Sequence, residues 1–118
     1  MIKTIPNTGK VQVVVYHPGF SAVCSVGKAP FHGTIEIKYY PAGYLLEFMS
    51  FEKWLLAKVA VMDTTVEELC RVVFDVLYTM LDNVPLSVTV HALTTTHAPV
   101  SVRIKTDDFY GEVPMDSR

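Results

Sequence analysis

The chain has 118 residues, of which 50% are hydrophobic and 19% charged, and its formal net charge is −2. This length predicts one domain. The net negative charge argues against general electrostatic binding of nucleic-acid phosphates, so that a nucleic acid could be bound only through a local basic patch. There is no charge-free run of about 18 apolar residues, so no membrane span is predicted, and the N-terminus lacks a signal-peptide core.

Two cysteines do not form a disulfide framework, so we expect a reduced, cytoplasmic protein with free thiols. A chain this short has a limited interior in which to bury so many apolar side chains. This composition therefore favours self-association that buries additional surface.

The first part of the chain predicts two strands separated by a long loop. Residues 10–16 alternate between polar and apolar side chains as a strand does, and the sequence His17-Pro18-Gly19 should end that strand. Residues 18–33 contain prolines and glycines, and they predict a long connection that holds Cys24. Residues 34–40, TIEIKYY, alternate clearly and predict a second strand with its isoleucines on one face.

The middle of the chain predicts two helices. After an extended start near residues 44–48, aromatic and leucine side chains recur at helical spacing and predict a helix over residues 50–59. Thr64, followed three residues later by Glu67, is typical of a capping box at the start of a second helix. An apolar stripe follows, and we expect the second helix to end at Asn83.

The last part of the chain predicts two more strands, over residues 86–93 and 100–105, joined by a loop. The order ββααββ predicts an α+β fold, with a four-stranded antiparallel sheet and two helices on one face. We expect one domain over residues 1–106 and a polar tail over residues 107–118. Four strands leave two open edges, which favours subunits that close into a ring.

Four segments carry a family resemblance: Val23-Cys24-Ser25-Val26 with Pro30, TIEIKYYP, LLEFMSFEKW and VEELCRVV. In this order they resemble the tunnel-fold (T-fold) enzymes, and among them the 7-cyano-7-deazaguanine reductase (QueF) family and its shorter QueF-like archaeosine synthases. The resemblance covers about residues 22–73, and the last two strands by pattern only. It implies a tunnel fold whose subunits assemble as stacked rings.

The resemblance implies that Cys24 is a nucleophile. A nitrile carbon is a mild electrophile, and a thiolate adds to it to give a covalent thioimide. In the reductases the thioimide accepts hydride from NADPH, whereas in the archaeosine synthases it accepts ammonia and gives an amidine on a base in tRNA. Cationic neighbours favour a thiolate, and Lys28 and His32 are near in sequence. The alternative is that Cys24 is a buried structural thiol.

The resemblance also places Glu67 on the glutamate that holds the amidine-like edge of a guanine-type base. A carboxylate accepts two N–H bonds from such an edge in a charge-assisted, bidentate arrangement. The alternative role for Glu67 is the capping box. Glu68 is the candidate if the alignment is off by one residue.

The sequence departs from the family pattern at the proton donor and beside the base. The acidic donor that the family places seven residues after its cysteine is Phe31 here, and we assign the donor role instead to the adjacent His32. The family's histidine before the glutamate is Val66, which removes one polar contact to the base or to the transferred group.

A further departure concerns the cofactor motif of the reductases. Glu47 and Ser50 fit that motif, but its two lysine positions are Met49 and Glu52. A glutamate repels the phosphates of NADPH, so this departure argues against an NADPH cofactor. The alternative interpretation of the segment is an ordinary amphipathic helix.

We therefore predict a thioimide-forming enzyme of the amidinotransferase type that acts on the nitrile of 7-cyano-7-deazaguanine, free or within tRNA or DNA. Its second substrate is ammonia or another nitrogen donor. No metal is expected because the histidines lack ligand spacing, and no cofactor is expected because the lysines of the NADPH motif are absent. The alternatives are an NADPH-dependent nitrile reductase and a non-catalytic purine-binding or ring-forming protein. The predicted site residues are Cys24 and His32 for catalysis and Glu67, Glu47, Phe31 and Ser50 for the substrate.

Overall fold

The computed structural model describes residues 1–94 and 97–110, and in these ranges it contains eight strands and two helices. The elements in chain order are β1 (Thr4–Pro6), β2 (Val14–Tyr16), β3 (Gly19–Cys24), β4 (Pro30–Tyr39), β5 (Tyr44–Leu46), α1 (Phe48–Trp54), which continues as a π-helical segment (Leu55–Val59), β6 (Asp63–Thr64), α2 (Val66–Met80), β7 (Leu86–Leu93) and β8 (Val100–Lys105).

The main sheet has the strand order β6-β3-β4-β7-β8, and β2 pairs with β4 as well. The pairing of β3 with β6 is parallel, whereas the other pairings are antiparallel. Strands β1 and β5 form a separate antiparallel pair. The α+β class and the two helices are confirmed, but the main sheet has six strands rather than the predicted four.

The two additional strands are β3 and β6, and β3 lies in the segment predicted as a long loop, so that prediction is wrong. Strand β3 pairs with the start of β4, and β2 pairs with its end, so both lie along one edge of the same strand. His17 and Pro18 only interrupt this edge, where the Pro18 carbonyl accepts a hydrogen bond of 2.9 Å from the Ile35 N–H. A proline lacks a donor but is tolerated at such an interruption. Cys24 therefore ends a strand.

Helix α2 packs on β7 and β8 and covers this side of the main sheet. Its buried side chains are Leu69, Cys70, Val73, Phe74 and Leu77, and they belong to one core cluster with alternate residues of the sheet such as Ile35, Ile37, Val88 and Val90. The predicted apolar faces of β4 and β7 are confirmed, although Ser87 and Thr89 on the other face of β7 are buried as well. Asp82 and Asn83 adopt positive φ after the helix, and Asn83 donates a hydrogen bond to the Tyr78 carbonyl, as expected at a helix end.

The packed part of the chain continues beyond the predicted domain boundary at residue 106. The Phe109 side chain is buried and stacks on the Tyr40 ring at a centroid distance of 5.2 Å. Residues 111–118 of the predicted tail lie outside the described residues, as do residues 95 and 96 of the predicted loop. Within the described ranges, the helices are too short or too polar to cross a membrane.

Candidate active site

A cavity of about 360 Å³ lies where the turn between β3 and β4 meets the start of α2 and the end of β7. Its volume falls within the range of small-molecule binding sites. Three of the predicted site residues, Cys24, Phe31 and Glu67, line this cavity. The rest of the lining consists of Val26, Gly27, Thr64, Thr65, Val66, Ala92, Thr94 and His97.

Cys24 is held by the turn that follows it. Its backbone N–H donates to the Ala29 carbonyl at 2.9 Å, and its carbonyl accepts from the Lys28 N–H at 2.8 Å. Lys28 adopts a φ of 57°, which allows the chain to reverse direction within a few residues. Cys24 is a free cysteine, is only partly buried and lines the cavity.

The short strand β6 brings the start of α2 to this cysteine. Cys24 and Thr64 are partners in the parallel pairing, and the Thr64 carbonyl accepts a hydrogen bond of 3.0 Å from the Ser25 N–H. One step earlier, the Val23 N–H donates to the Met62 carbonyl at 3.1 Å. The N-terminal end of α2 therefore borders the cavity, where its partial positive charge favours anionic groups.

The capping box lies one residue later than predicted, so Glu67 is not part of it. Thr65 is the N-cap residue, and its hydroxyl oxygen accepts the Glu68 N–H at 3.2 Å. The Thr65 hydroxyl lies 3.3 Å from a carboxylate oxygen of Glu68. Thr64 is unavailable for capping because it is buried in β6. The cap therefore uses Glu68, whereas Glu67 is exposed and lines the cavity.

The structure does not bring the two predicted cationic neighbours of Cys24 to the cavity. The Lys28 ammonium group forms an ion pair with the Asp63 carboxylate on the surface. His32 follows Phe31 in β4, and successive side chains of a strand point to opposite faces of the sheet. Because Phe31 lines the cavity, the exposed His32 lies on the other face. The predicted proton donor is therefore outside this site.

Glu47 and Ser50 are likewise outside the cavity, because they form the start of α1. The Glu47 carboxylate accepts the Ser50 and Met49 N–H groups, both at 2.9 Å, and these bonds lower the pKa of Glu47. The Ser50 hydroxyl donates to the Glu47 carbonyl and accepts the Lys3 N–H. The two residues thus fix the start of α1 against Lys3, which precedes β1, and they border a separate surface recess.

The two positions that replace the lysines of the cofactor motif also lie on α1. The Tyr16 hydroxyl donates a hydrogen bond of 2.7 Å to the Glu52 carboxylate. Burial, and then this carboxylate, raise the pKa of Tyr16 above its ordinary value. Glu52 therefore ties α1 to β2, while the neighbouring Met49 side chain is exposed.

His97 also lines the cavity, and the sequence does not predict this position for it. It follows β7 in a loop, where no periodicity indicates which way a side chain points. Its ring Nδ1 lies 2.7 Å from the Ala98 carbonyl oxygen. Among the described residues, no group of three or more His, Cys, Asp or Glu side chains is arranged to hold a metal ion.

Comparison with solved structures identifies a protein of the same fold. The crystal structure of the archaeosine synthase QueF-like in its apo form superimposes with a TM-score of 0.70 at 20% sequence identity. The match covers 81% of this chain and 94% of that chain. No protein-family model and no curated protein sequence matches the chain. The resemblance to the QueF-like proteins is therefore confirmed as a shared fold.

Proposed function

We propose that the chain is a thioimide-forming enzyme that converts the nitrile of 7-cyano-7-deazaguanine into an amidine. The observation that carries this proposal is a single cavity lined by a free, partly buried cysteine and an exposed glutamate at a helix N-terminus. The fold shared with an archaeosine synthase supports the class of substrate. The net charge of −2 favours the free base over a base within nucleic acid.

The proposed reaction has two steps, both at the Cys24 sulfur. The thiolate adds to the nitrile carbon, so a C–S bond forms, one C–N π bond breaks and the nitrogen takes up a proton, giving a thioimide. Ammonia then adds to the same carbon, the C–S bond breaks and the thiolate leaves. The sum of the steps is nitrile plus ammonia giving amidine, and it needs no oxidant or reductant.

Glu67 would hold the base while this chemistry proceeds. It lines the same cavity, and the carboxylate is not used in the helix cap, which Thr65 and Glu68 form. A carboxylate matches the adjacent N–H donors of a guanine-type base and accepts two hydrogen bonds from them. Phe31 and Val66 add apolar surface for the ring system.

Replacing Glu67 by glutamine should weaken binding of the base by roughly 100-fold, because two charge-assisted hydrogen bonds are lost and an amide donor faces the donors of the base. The dissociation constant can be measured by calorimetry with Cys24→Ala as the background, so that no covalent bond forms. Glu68→Gln is the matched control, since this neighbouring carboxylate serves the cap. Equal losses for the two variants would contradict the role of Glu67.

Ammonia, rather than a hydride donor, is the proposed second substrate. The helix that carries the cofactor motif in the reductases has Glu52 where a lysine would face phosphates, and this carboxylate is engaged by Tyr16. A carboxylate repels the phosphates of a nicotinamide cofactor. We therefore expect no oxidation of NADPH when the enzyme and the nitrile base are mixed, as followed by absorbance of the reduced nicotinamide. Robust turnover would favour the nitrile reductase.

The test of the proposed function is intact-mass spectrometry of the wild-type chain after incubation with 7-cyano-7-deazaguanine. We expect one equivalent of covalently bound base per chain, since the thioimide retains the whole base. Guanine, which has no nitrile, should leave the mass unchanged. Addition of ammonium should release the adduct as an amidine product. Reversible binding of the nitrile base with no mass increase would instead indicate a non-catalytic base-binding protein.

We also propose that subunits close into rings through strand edges. In the described part of the chain, β8 and β2 each pair on one side only, and unpaired strand edges favour association. Exposed apolar side chains accompany the β2 edge: Val11, Val13 and Val15. Light scattering coupled to size exclusion should give a mass several times that of one chain, and a monomer would contradict the ring.

A further inference from the structure

We infer that His97 is the proton-transfer residue of this cavity: it takes the proton of the Cys24 thiol and delivers it to the nitrile nitrogen. This inference rests on the proposed function. Phe31 stands where the family has an acid, so this position of the cavity lacks a proton donor. The Phe31 ring packs edge-on against Phe20 at a centroid distance of 5.8 Å and has no proton to give.

The other described residues of the cavity leave His97 as the suitable group. Besides Cys24 itself, the titratable side chains of the described lining are Glu67 and His97. Glu67 is assigned to the base, where its carboxylate accepts hydrogen bonds instead of delivering a proton. A histidine both accepts and donates a proton near neutral pH, which is the property that the reaction needs.

The hydrogen bond of His97 determines which of its two ring nitrogens acts as the base. The Nδ1 atom lies 2.7 Å from the Ala98 carbonyl oxygen, and a carbonyl oxygen can only accept. Nδ1 therefore carries the hydrogen, so the Nε2 atom of the neutral ring has a free lone pair. This backbone contact fixes the tautomer in which Nε2 is the base, as a carboxylate does for histidine in a catalytic triad.

The proton balance of the first step then closes within the cavity. Nε2 takes the proton of the Cys24 thiol, and the resulting thiolate adds to the nitrile carbon. One C–N π bond breaks, and its electron pair goes to the nitrogen. The imidazolium returns the proton from Nε2 to this nitrogen, which leaves a neutral thioimide and a neutral histidine. One proton moves from sulfur to nitrogen, and no outside acid is needed.

The test measures adduct formation in a single turnover, by rapid quench and intact mass, over a range of pH. We expect His97→Ala to slow formation of the thioimide by about 100-fold and to flatten its pH profile, while the affinity for the base is unchanged. Added imidazole should restore part of the rate, because it replaces the missing ring. His97→Gln keeps a hydrogen-bonding side chain but cannot carry a proton, so it should remain slow.

His17→Ala is the matched control, since His17 is exposed and does not line the cavity. A second readout needs no nitrile: alkylation of Cys24 by iodoacetamide should slow in His97→Ala and be unchanged in His17→Ala. If wild type and His97→Ala form the adduct at equal rates with the same pH profile, or if His32→Ala alone reproduces the loss, the inference is wrong and the proposed function stands. If alkylation depends on His97 but wild type forms no adduct, the nitrile chemistry is wrong and the Cys24–His97 pair stands.

Discussion

Replacing Cys24 by alanine is expected to abolish the covalent adduct with 7-cyano-7-deazaguanine and to lower amidine formation by about 10⁴-fold or more. The expected loss is this large because the sulfur is both the attacking atom and the leaving group of the proposed reaction, and a methyl group can replace neither function. The adduct is read by intact mass, and the amidine product by chromatography with ammonium present. Thermal unfolding of the variant should stay close to wild type, because the side chain is only partly buried.

The control for this experiment is the second cysteine of the chain. The Cys70 side chain is fully buried in α2, and its sulfur lies 3.4 Å from the Val88 carbonyl oxygen. Burial raises the pKa of the Cys70 thiol, so it stays protonated and unreactive near neutral pH. Cys70→Ala should lose about 1–2 kcal/mol of stability from the small cavity it creates, yet keep the full adduct. An adduct that persists in Cys24→Ala would overturn the assignment of the nucleophile.

Replacing Gly33 by alanine is expected to destabilise the fold by about 3 kcal/mol or more and to lower Tm by roughly 10 °C or more. Strand β7 passes so close to Gly33 that an added Cβ would lie 1.8 Å from the His91 carbonyl oxygen and 2.9 Å from its carbonyl carbon. Both atoms belong to the backbone, so the conflict is relieved only if two paired strands of the main sheet move apart. Thermal unfolding followed by circular dichroism measures the loss.

Gly19→Ala is the matched control for that substitution. Gly19 pairs with Thr34, one residue along β4, and an added Cβ would meet the nearest atom, the Gly33 carbonyl oxygen, at an ordinary 3.7 Å. We expect a change in Tm of no more than a few degrees. Gly33 lies between Phe20 of β3 and Ala92 of β7. The added Cβ of Gly33→Ala would therefore also disturb the cavity wall. Similar Tm values for Gly33→Ala and wild type would contradict the close approach of the strands.

The parts of the fold that the sequence predicts are those in which periodicity and burial agree. The alternation of residues 34–40 and 86–93 reflects strands with one apolar face, and both lie at the centre of the sheet. The apolar stripe of α2 likewise indicates a helix with one buried face. Cys24 and Glu67 lie on different elements, and in the sequence only the family resemblance assigns them to one site. In the structure both residues line the same cavity.

The errors have physical causes that a single sequence does not reveal. The sequence predicts a loop where β3 lies because Pro18 precedes this strand and Gly19 begins it, yet a sheet edge tolerates the interruption. The predicted helix cap is off by one residue because Thr64 and Thr65 have the same capping chemistry. Only the two-residue pairing of β6 with β3, which includes Thr64, decides between them. The orientation of His97 depends on a loop contact with the next residue, which leaves no periodic signal.

The parallel pairing of β3 with β6 has a consequence for how such a protein can diversify. Main-chain hydrogen bonds hold the end of β3, where Cys24 lies, beside β6, which leads into α2 and Glu67. An exchange of side chains does not remove these bonds. Helix α1 lies between them in the chain but contributes no side chain to the cavity. Substitutions on the surface of α1 therefore leave the pairing that positions Cys24 and Glu67 intact. In the proposed reaction, the second substrate can therefore change while the residue that forms the thioimide stays in place.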